Sequence, residues 1–207
     1  MSEKLKDGLV WIDCEMTGLD VENDALIEVA VIVTDADLNP LGEGIDLLIK
    51  PAPEKLENMN DFVREMHTSS GLLKELEEAP DDLAAAEAEV LDYISKFVEP
   101  GKALLAGNSI GTDKAFLSRY MPALIDFLHY RVIDVSSVKE LARRWYPRTF
   151  FQSPQKHGGH RALGDIQDSL MELRYYRKLL FPQGEGPDTP TCQEVAREVT
   201  EWRSELN

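Results

Sequence analysis

Apolar and polar positions in the first half of the chain form short blocks that are typical of β-strands. Residues 9–12 (LVWI) are continuously apolar, and residues 25–34 (ALIEVAVIVT) are rich in β-branched side chains. A turn at residues 35–40 separates the second block from a third at residues 43–50. Because the connections between these blocks are short, we predict three strands in an antiparallel meander.

The rest of the chain alternates between helical and strand patterns. We predict helices at residues 60–66, 81–98, 112–120, 136–145 and 162–180, and strands at residues 103–106 and 131–135. Ser136 is the predicted cap of the fourth helix. Three antiparallel strands followed by alternating helices and strands predict an α/β fold, with a mixed five-stranded sheet flanked by helices.

The C-terminal segment follows a different pattern. Pro182 opens a linker rich in proline and glycine, and Thr191 with Glu194 has the spacing of a capping box for a terminal helix. A chain of 207 residues is the size of one ordinary domain with a short extension. We therefore predict a main domain at residues 1–181, followed by a linker and a short helix at residues 182–207.

The net charge restricts the partners of this protein. At −16, most of the surface repels a long polyanion, so any nucleic acid ligand should be short. No apolar run approaches the roughly 20 residues of a membrane span, and we predict no membrane partner. The N-terminus lacks the apolar core of a signal peptide, and Cys14 and Cys192 lack metal-ligand spacing. These features predict a cytoplasmic protein.

Two carboxylates follow the first apolar block, in the segment WIDCEMTGLD. Side chains alternate along a strand, so Asp13 and Glu15 should share a face while Cys14 points the other way. Two neighbouring buried carboxylates repel each other, and a divalent cation would neutralise them. Taken alone, the segment fits a metal site, a solvated acidic turn, or the D-x-D-x-T-like loop of a haloacid-dehalogenase-type phosphatase.

Further acidic positions occur in two later segments. Asp113 lies at the start of a predicted helix, where an aspartate also stabilises the helix dipole. In HRALGD, His160 follows the pair Gly158-Gly159, and Asp165 lies one turn into a long helix. Three carboxylate segments and a loop histidine together supply the ligands for two metal ions and a general base. A phosphatase would leave His160 and Asp165 without a role, so we set that alternative aside.

The combination of these motifs, in this order, resembles the DEDDh class of 3′→5′ exonucleases, and within it the oligoribonuclease family. The segments WIDCEMTGLD, AGNSIGTDKAFLSRYMP, LHYRVIDVSSVKELARRWYP and HRALGDIQDS carry the resemblance, which covers roughly residues 8–180. It implies a ribonuclease H-like exonuclease fold and a homodimer. It also implies hydrolysis of very short RNA, especially dinucleotides, to mononucleotides.

The resemblance also implies the chemistry and the recognition residues. Asp13, Glu15, Asp113 and Asp165 would hold two divalent cations, Mg²⁺ or Mn²⁺, and His160 would take a proton from the attacking water. The substrate-binding residues would be Leu19, Phe62, His67, Ser109, Tyr130, Arg131 and Ser136. Of these, Ser109, Arg131 and Ser136 would together cap the 5′-phosphate. Leu19 and Phe62 would hold the bases, although the family usually has tryptophan where this chain has Phe62.

Two further functions remain to be weighed against this one. A proofreading-type exonuclease on longer DNA would use the same five catalytic residues, but the acidic surface and the residues that would cap a 5′-phosphate argue against it. A non-catalytic module that binds short RNA would not need four carboxylates and a histidine. Both are therefore less favoured than a short-RNA exonuclease.

Overall fold

A five-stranded sheet forms the centre of the computed structural model, which describes residues 4–182 and 184–204. The strands are β1 (Leu9–Met16), β2 (Leu26–Thr34), β3 (Pro40–Leu48), β4 (Leu104–Gly107) and β5 (His129–Asp134). Their order is β3-β2-β1-β4-β5. The β3-β2 and β2-β1 pairs are antiparallel, whereas the β1-β4 and β4-β5 pairs are parallel. The predicted mixed sheet is confirmed.

Helices fill most of the remaining chain. They are α1 (Pro53–Glu57), α2 (Asp61–Ser69), α3 (Leu72–Glu75), α4 (Leu83–Ser95), α5 (Gly111–Tyr120), α6 (Pro122–Phe127), α7 (Val135–Trp145), α8 (Pro147–Phe151), α9 (Ala162–Leu180) and α10 (Thr189–Ser204). The prediction for α9 has the observed bounds. The sequence prediction missed α1, α3, α6 and α8. Three of these helices begin with proline, which has no backbone N–H and so leaves no unpaired donor in a first turn. Within the described residues, no helix combines the length and apolar character that crossing a bilayer requires.

Two predicted helix caps were wrong. Asp134, and not Ser136, caps α7, because its side chain accepts a hydrogen bond from the Ser136 amide. At α10 the Thr191 amide donates to Asp188 Oδ1, so the cap precedes the predicted one. In both cases an aspartate upstream accepts a hydrogen bond from the amide of the residue that was predicted to be the cap. Three short stretches lie outside the described part of the chain: residues 1–3 in the predicted main domain, and residues 183 and 205–207 in the predicted extension.

The alternation of side chains along β1 gives the sheet two distinct faces. Val10, Ile12 and Cys14 belong to the larger core, which packs against α4, α5 and α6. Trp11 points the other way, into a second core that contains Ile166 of α9. Asp13 and Glu15 follow Trp11 at intervals of two residues and therefore face the side that α9 covers. The strand also continues through both carboxylates, four residues beyond the apolar block that predicted it.

Candidate active site

Three side chains from separate elements converge on this face of β1. Glu15 is buried on β1, Asp165 lies in the first turn of α9, and His160 lies on the exposed loop just before α9. One ligand atom from each of the three lies within 4.8 Å of the others. Carboxylate oxygens and an imidazole nitrogen at this spacing are suited to a divalent cation.

Asp113 is joined to the same strand by a hydrogen bond. It lies in the first turn of α5 and is 7% exposed, and its Oδ1 accepts a hydrogen bond from the Cys14 amide at 3.0 Å. Cys14 lies between Asp13 and Glu15 in sequence, so this contact brings Asp113 beside both. Asp113 has the predicted position in the first turn of a helix, and it also extends the acidic cluster.

Burial and mutual repulsion raise the pKa values of the four carboxyl groups. Burial raises the pKa of Asp13 to about 9, with further contributions from Asp113, Asp165 and Glu15. Burial also raises the pKa of Glu15 to about 8 and of Asp113 to about 6. The pKa of Asp165 is raised by burial as well. Four such groups are costly to ionise together, and bound cations would offset that cost.

We expect the cation-free protein to lose stability as the pH rises, and added Mg²⁺ to restore more stability at higher pH. A carboxyl group with a raised pKa in the folded state holds its proton more tightly there than in the unfolded chain. Stability therefore falls between the two pKa values, which for Asp13 are 3.8 and about 9. Melting temperatures with EDTA and with Mg²⁺, at about pH 5 and about pH 8, test this. Equal Mg²⁺-induced shifts at both pH values would contradict it.

His67 reaches the cluster from α2. The residue is fully buried, and its Nε2 lies 2.9 Å from the carbonyl oxygen of Met16. Burial lowers the pKa of His67, so the ring is neutral near pH 7 and Nε2 donates to that carbonyl. Its Nδ1 is then an acceptor, lies 3.9 Å from Glu15 Oε2, and has no hydrogen-bond partner among the described residues.

Phe62 and His160 line one cavity next to the cluster. The cavity has a volume of about 320 Å³, and Gly159, Met66 and Ser69 also line it. The Phe62 ring is 76% exposed. An exposed ring beside the candidate base is available to stack on a nucleobase.

Leu19 lies in a loop that Asp24 holds in place. The Thr17 hydroxyl donates to Asp24 Oδ1 at 3.1 Å, and the Asp20 amide donates to Asp24 Oδ2 at 2.9 Å. A Cβ atom on Gly18 would lie 2.3 Å from the Asp24 carboxylate, so a side chain at position 18 would displace the group that holds the loop. The loop leaves the Leu19 side chain 76% exposed, immediately beyond the acidic strand.

The predicted phosphate-binding residues fall into two groups. Ser109 and Ser136 meet at the ends of β4 and β5, where their Oγ atoms are 3.0 Å apart. Arg131 lies further back on β5, and its Nε donates to the Tyr130 hydroxyl at 3.1 Å. In the described part of the chain, the hydrogen bonds of Arg131 run to Tyr130 and His129 and not to the serine pair. The structure thus joins the two serines but does not bring Arg131 to them.

Comparisons with known proteins agree with this geometry. A family model described as Exonuclease matches residues 10–173. The chain is 60% identical to an oligoribonuclease of Streptomyces avermitilis over 193 residues, which are 93% of this chain and 96% of that protein. It is 54% identical to an oligoribonuclease of Mycobacterium tuberculosis over 198 residues, which are 95% of this chain and 92% of that protein.

The chain belongs to the oligoribonuclease family. This confirms the resemblance that the sequence motifs indicated. Solved structures share the fold: exonuclease I of E. coli, in a zinc-bound complex with single-stranded DNA, aligns with a TM-score of 0.67 at 15% identity. Exonuclease I of Methylocaldum szegediense aligns with a TM-score of 0.62 at 20% identity. The alignments cover 84% of this chain but only 41% of either exonuclease I chain.

Sequence reasoning missed three carboxylates around the site of this oligoribonuclease-family chain. Asp134 Oδ1 accepts hydrogen bonds from the amides of Ser109 and Ser136, and so fixes the serine pair. Glu28 and Asp168, both buried, hold the backbone near His160. Glu28 had a visible signal, because it is the single charged residue in the apolar block ALIEVAVIVT. The partners of Asp134 and Asp168 are backbone amides, which leave no signature in the sequence.

Proposed function

We propose that this protein is a 3′→5′ exoribonuclease that hydrolyses very short RNA, especially 5′-phosphorylated dinucleotides, to nucleoside 5′-monophosphates. The observation that carries the proposal is the convergence of Glu15, Asp165 and His160 within 4.8 Å, in a chain that belongs to the oligoribonuclease family. The net charge of −16 supports a short substrate, since a long polyanion would be repelled.

Two divalent cations, Mg²⁺ or Mn²⁺, complete the site. Asp13, Glu15, Asp113 and Asp165 would hold them, and the raised pKa values of all four support this, since the groups lack a positive partner strong enough to offset burial and repulsion. Oxygen ligands favour these hard cations over zinc. When bound, such cations stabilise negative charge on the attacking and leaving oxygens of a phosphodiester.

His160 acts as the general base. Its ring lies on an exposed loop beside Asp165 and lines the cavity that Phe62 also lines. In its neutral form, the imidazole takes the proton of the attacking water. The neighbouring carboxylates Glu15 and Asp165 then stabilise the imidazolium that forms.

Substrate recognition would use Phe62, which lines the cavity, and Leu19, which lies in the loop just beyond β1. Phe62 and Leu19 are each 76% exposed and would hold the two bases between them. The Nδ1 acceptor of His67 has no hydrogen-bond partner among the described residues but is buried, so a substrate hydroxyl would have to displace the side chains that cover it. One base held against each apolar side chain would give a site for a dinucleotide.

The 5′-phosphate is capped by Ser109, Ser136 and Arg131. The amides of both serines already donate to Asp134 Oδ1, and the Ser136 hydroxyl donates to Asn108 Oδ1 at 3.2 Å. The Ser109 hydroxyl and the Arg131 guanidinium would therefore donate to a phosphate first, and the Ser136 hydroxyl would do so after leaving Asn108. Arg131 must leave Tyr130 to take part. A further nucleotide would collide with donors that the terminal phosphate already occupies.

The protein acts as a homodimer in the cytoplasm, with residues 1–181 as the exonuclease domain and residues 182–207 as an extension. Exposed apolar side chains on β5, α7 and α8 support a partner subunit; they are Tyr130, Leu141, Trp145, Tyr146 and Phe151. Across such an interface, Tyr130 would approach the partner's substrate. The family model ends at residue 173, before the extension, which supports the domain boundary.

We expect turnover of 5′-phosphorylated RNA to fall steeply with length, by at least about 10²-fold between dinucleotide and decanucleotide, because the cap excludes a longer 5′ side. A ladder of two to ten nucleotides with Mn²⁺ measures this, and single-stranded DNA of the same lengths serves as a second series. Equal rates on dimers and ten-mers would refute the cap. In Ser136→Ala the preference should shrink, because the shared hydroxyl pair is lost.

A further inference from the structure

The backbone just before His160 is attached to α9. Asp168 Oδ2 accepts hydrogen bonds from the amides of His157, at 2.6 Å, and Gly158, at 2.7 Å. Asp168 is only 5% exposed and lies about one turn beyond Asp165 on α9. Bonds from backbone amides to a carboxylate are stronger than those between neutral groups. The approach to His160 is therefore fixed to the same helix that carries Asp165.

The backbone just after His160 is attached to the sheet. Glu28, which is fully buried on β2, accepts hydrogen bonds from Arg161 Nε at 2.9 Å and from the Ala162 amide at 3.2 Å. The Arg161 guanidinium also donates to both carboxylate oxygens of Glu75, at 3.1 and 2.9 Å. A fork of this kind fixes direction as well as distance.

Only Gly159 and His160 separate the two attachments. Both have positive φ angles, of 67° and 60°. A positive φ is uncommon for a residue other than glycine and persists only where the surroundings hold it. The loop is also in close contact with α9, because a Cβ atom on Gly158 would lie 2.4 Å from Asp165 Oδ1. The position of the His160 Cα atom and the direction of its Cα–Cβ bond are thus set by short, fixed connections on either side.

We propose that Asp168 on one side, and Glu28 with Arg161 on the other, form a clamp that positions the His160 imidazole for proton transfer. The inference rests on the proposed role of His160 as the base. Asp168 and Arg161 are positioning residues: they act through the loop backbone and need not touch the substrate. Catalysis by a positioned base is sensitive to displacements of about 1 Å, which can cost about 10²-fold in rate.

A double-mutant cycle between Asp168 and His160 tests the clamp. We expect Asp168→Ala to lower kcat on a dinucleotide by about 10- to 100-fold with little change in KM, because the base is misplaced while the binding cavity is kept. In a His160→Ala background the same change should have no further effect on kcat, since no base remains to be positioned. Asp168→Asn retains an oxygen acceptor for both amides and should recover most of the lost kcat.

The outcomes separate the clamp from the proposed function. If His160→Ala lowers kcat but the loss from Asp168→Ala adds to it in full, the clamp is refuted while the base remains. If His160→Ala has the wild-type kcat, His160 is not the base, and the clamp is refuted together with that role. A rise in KM without a fall in kcat in Asp168→Ala would also overturn the clamp, because it would indicate a damaged binding site.

Two further variants complete the test. If Asp168→Ala does not fold, as judged by circular dichroism, the cycle is run with Arg161→Lys, which keeps the charge but lacks the fork that holds Glu28 and Glu75 together. We expect a loss in kcat of about tenfold that disappears in His160→Ala. Asp37→Asn is the matched control, because it removes one carboxylate from an exposed ion pair with Arg177 and should leave kcat unchanged.

Discussion

Asp165→Ala is expected to abolish hydrolysis while raising the melting temperature of the cation-free protein at about pH 8. The activity should fall by about 10³-fold or more, because losing even one group that stabilises charge in a transition state costs about 10²–10³-fold. The stability should rise because Asp165 is one of the groups that raise the pKa of Asp13, so its removal relieves repulsion. Dinucleotide turnover with Mn²⁺ and thermal melts in EDTA measure the two effects.

A matched control distinguishes a lost cation ligand from a general loss of charge. Asp92→Ala removes a carboxylate that is 73% exposed and whose ion pair, among the described residues, is with Lys96 at the end of α4. It should change neither turnover nor the EDTA melt by a measurable amount. Turnover near the wild-type rate in Asp165→Ala would refute the assignment of Asp165 to the cation site.

His160→Ala is expected to lower kcat by about 10²–10⁴-fold, the usual contribution of a general base. The folded state should be little affected, because the side chain is exposed on a loop. Rates measured under single-turnover conditions report the chemical step alone.

The neighbouring His157 supplies the control for this prediction. It lies on the same loop and is exposed, but its amide, and not its ring, makes the contact with Asp168. His157→Ala keeps that amide and should retain the wild-type rate. A wild-type kcat in His160→Ala would exclude His160 as the base.

The alternation of a β-strand was enough to predict the central part of the site. Asp13 and Glu15 lie two residues apart, so any strand through them places both on one face, and Cys14 faces the opposite core as expected. The bounds of α9 were also predictable, because a long amphipathic pattern has strong local signals. Family motifs in the same order then linked these residues to Asp113.

Local sequence patterns gave the wrong result for one helix cap, for several short helices and for the position of one arginine. The cap of α7 was assigned to Ser136, but Asp134 is oriented to serve both the Ser136 and the Ser109 amides at once. Short helices that begin with proline were missed because few residues and little apolar periodicity support them. Arg131 was expected beside the serines, whereas a stacking contact and a hydrogen bond direct it to Tyr130.

The sequence by itself determined the chemistry available to this protein: four carboxylates and a histidine in a fixed order, in an acidic chain of the oligoribonuclease family. Only the tertiary structure decided how that chemistry is held. Glu28 and Asp168 act on segments 134 and 10 residues away, respectively, through Ala162 and Gly158. Hydrogen bonds to backbone amides depend on where the chain passes and not on which side chain it carries, so the sequence can mark a buried carboxylate such as Glu28 but not the amide that it meets.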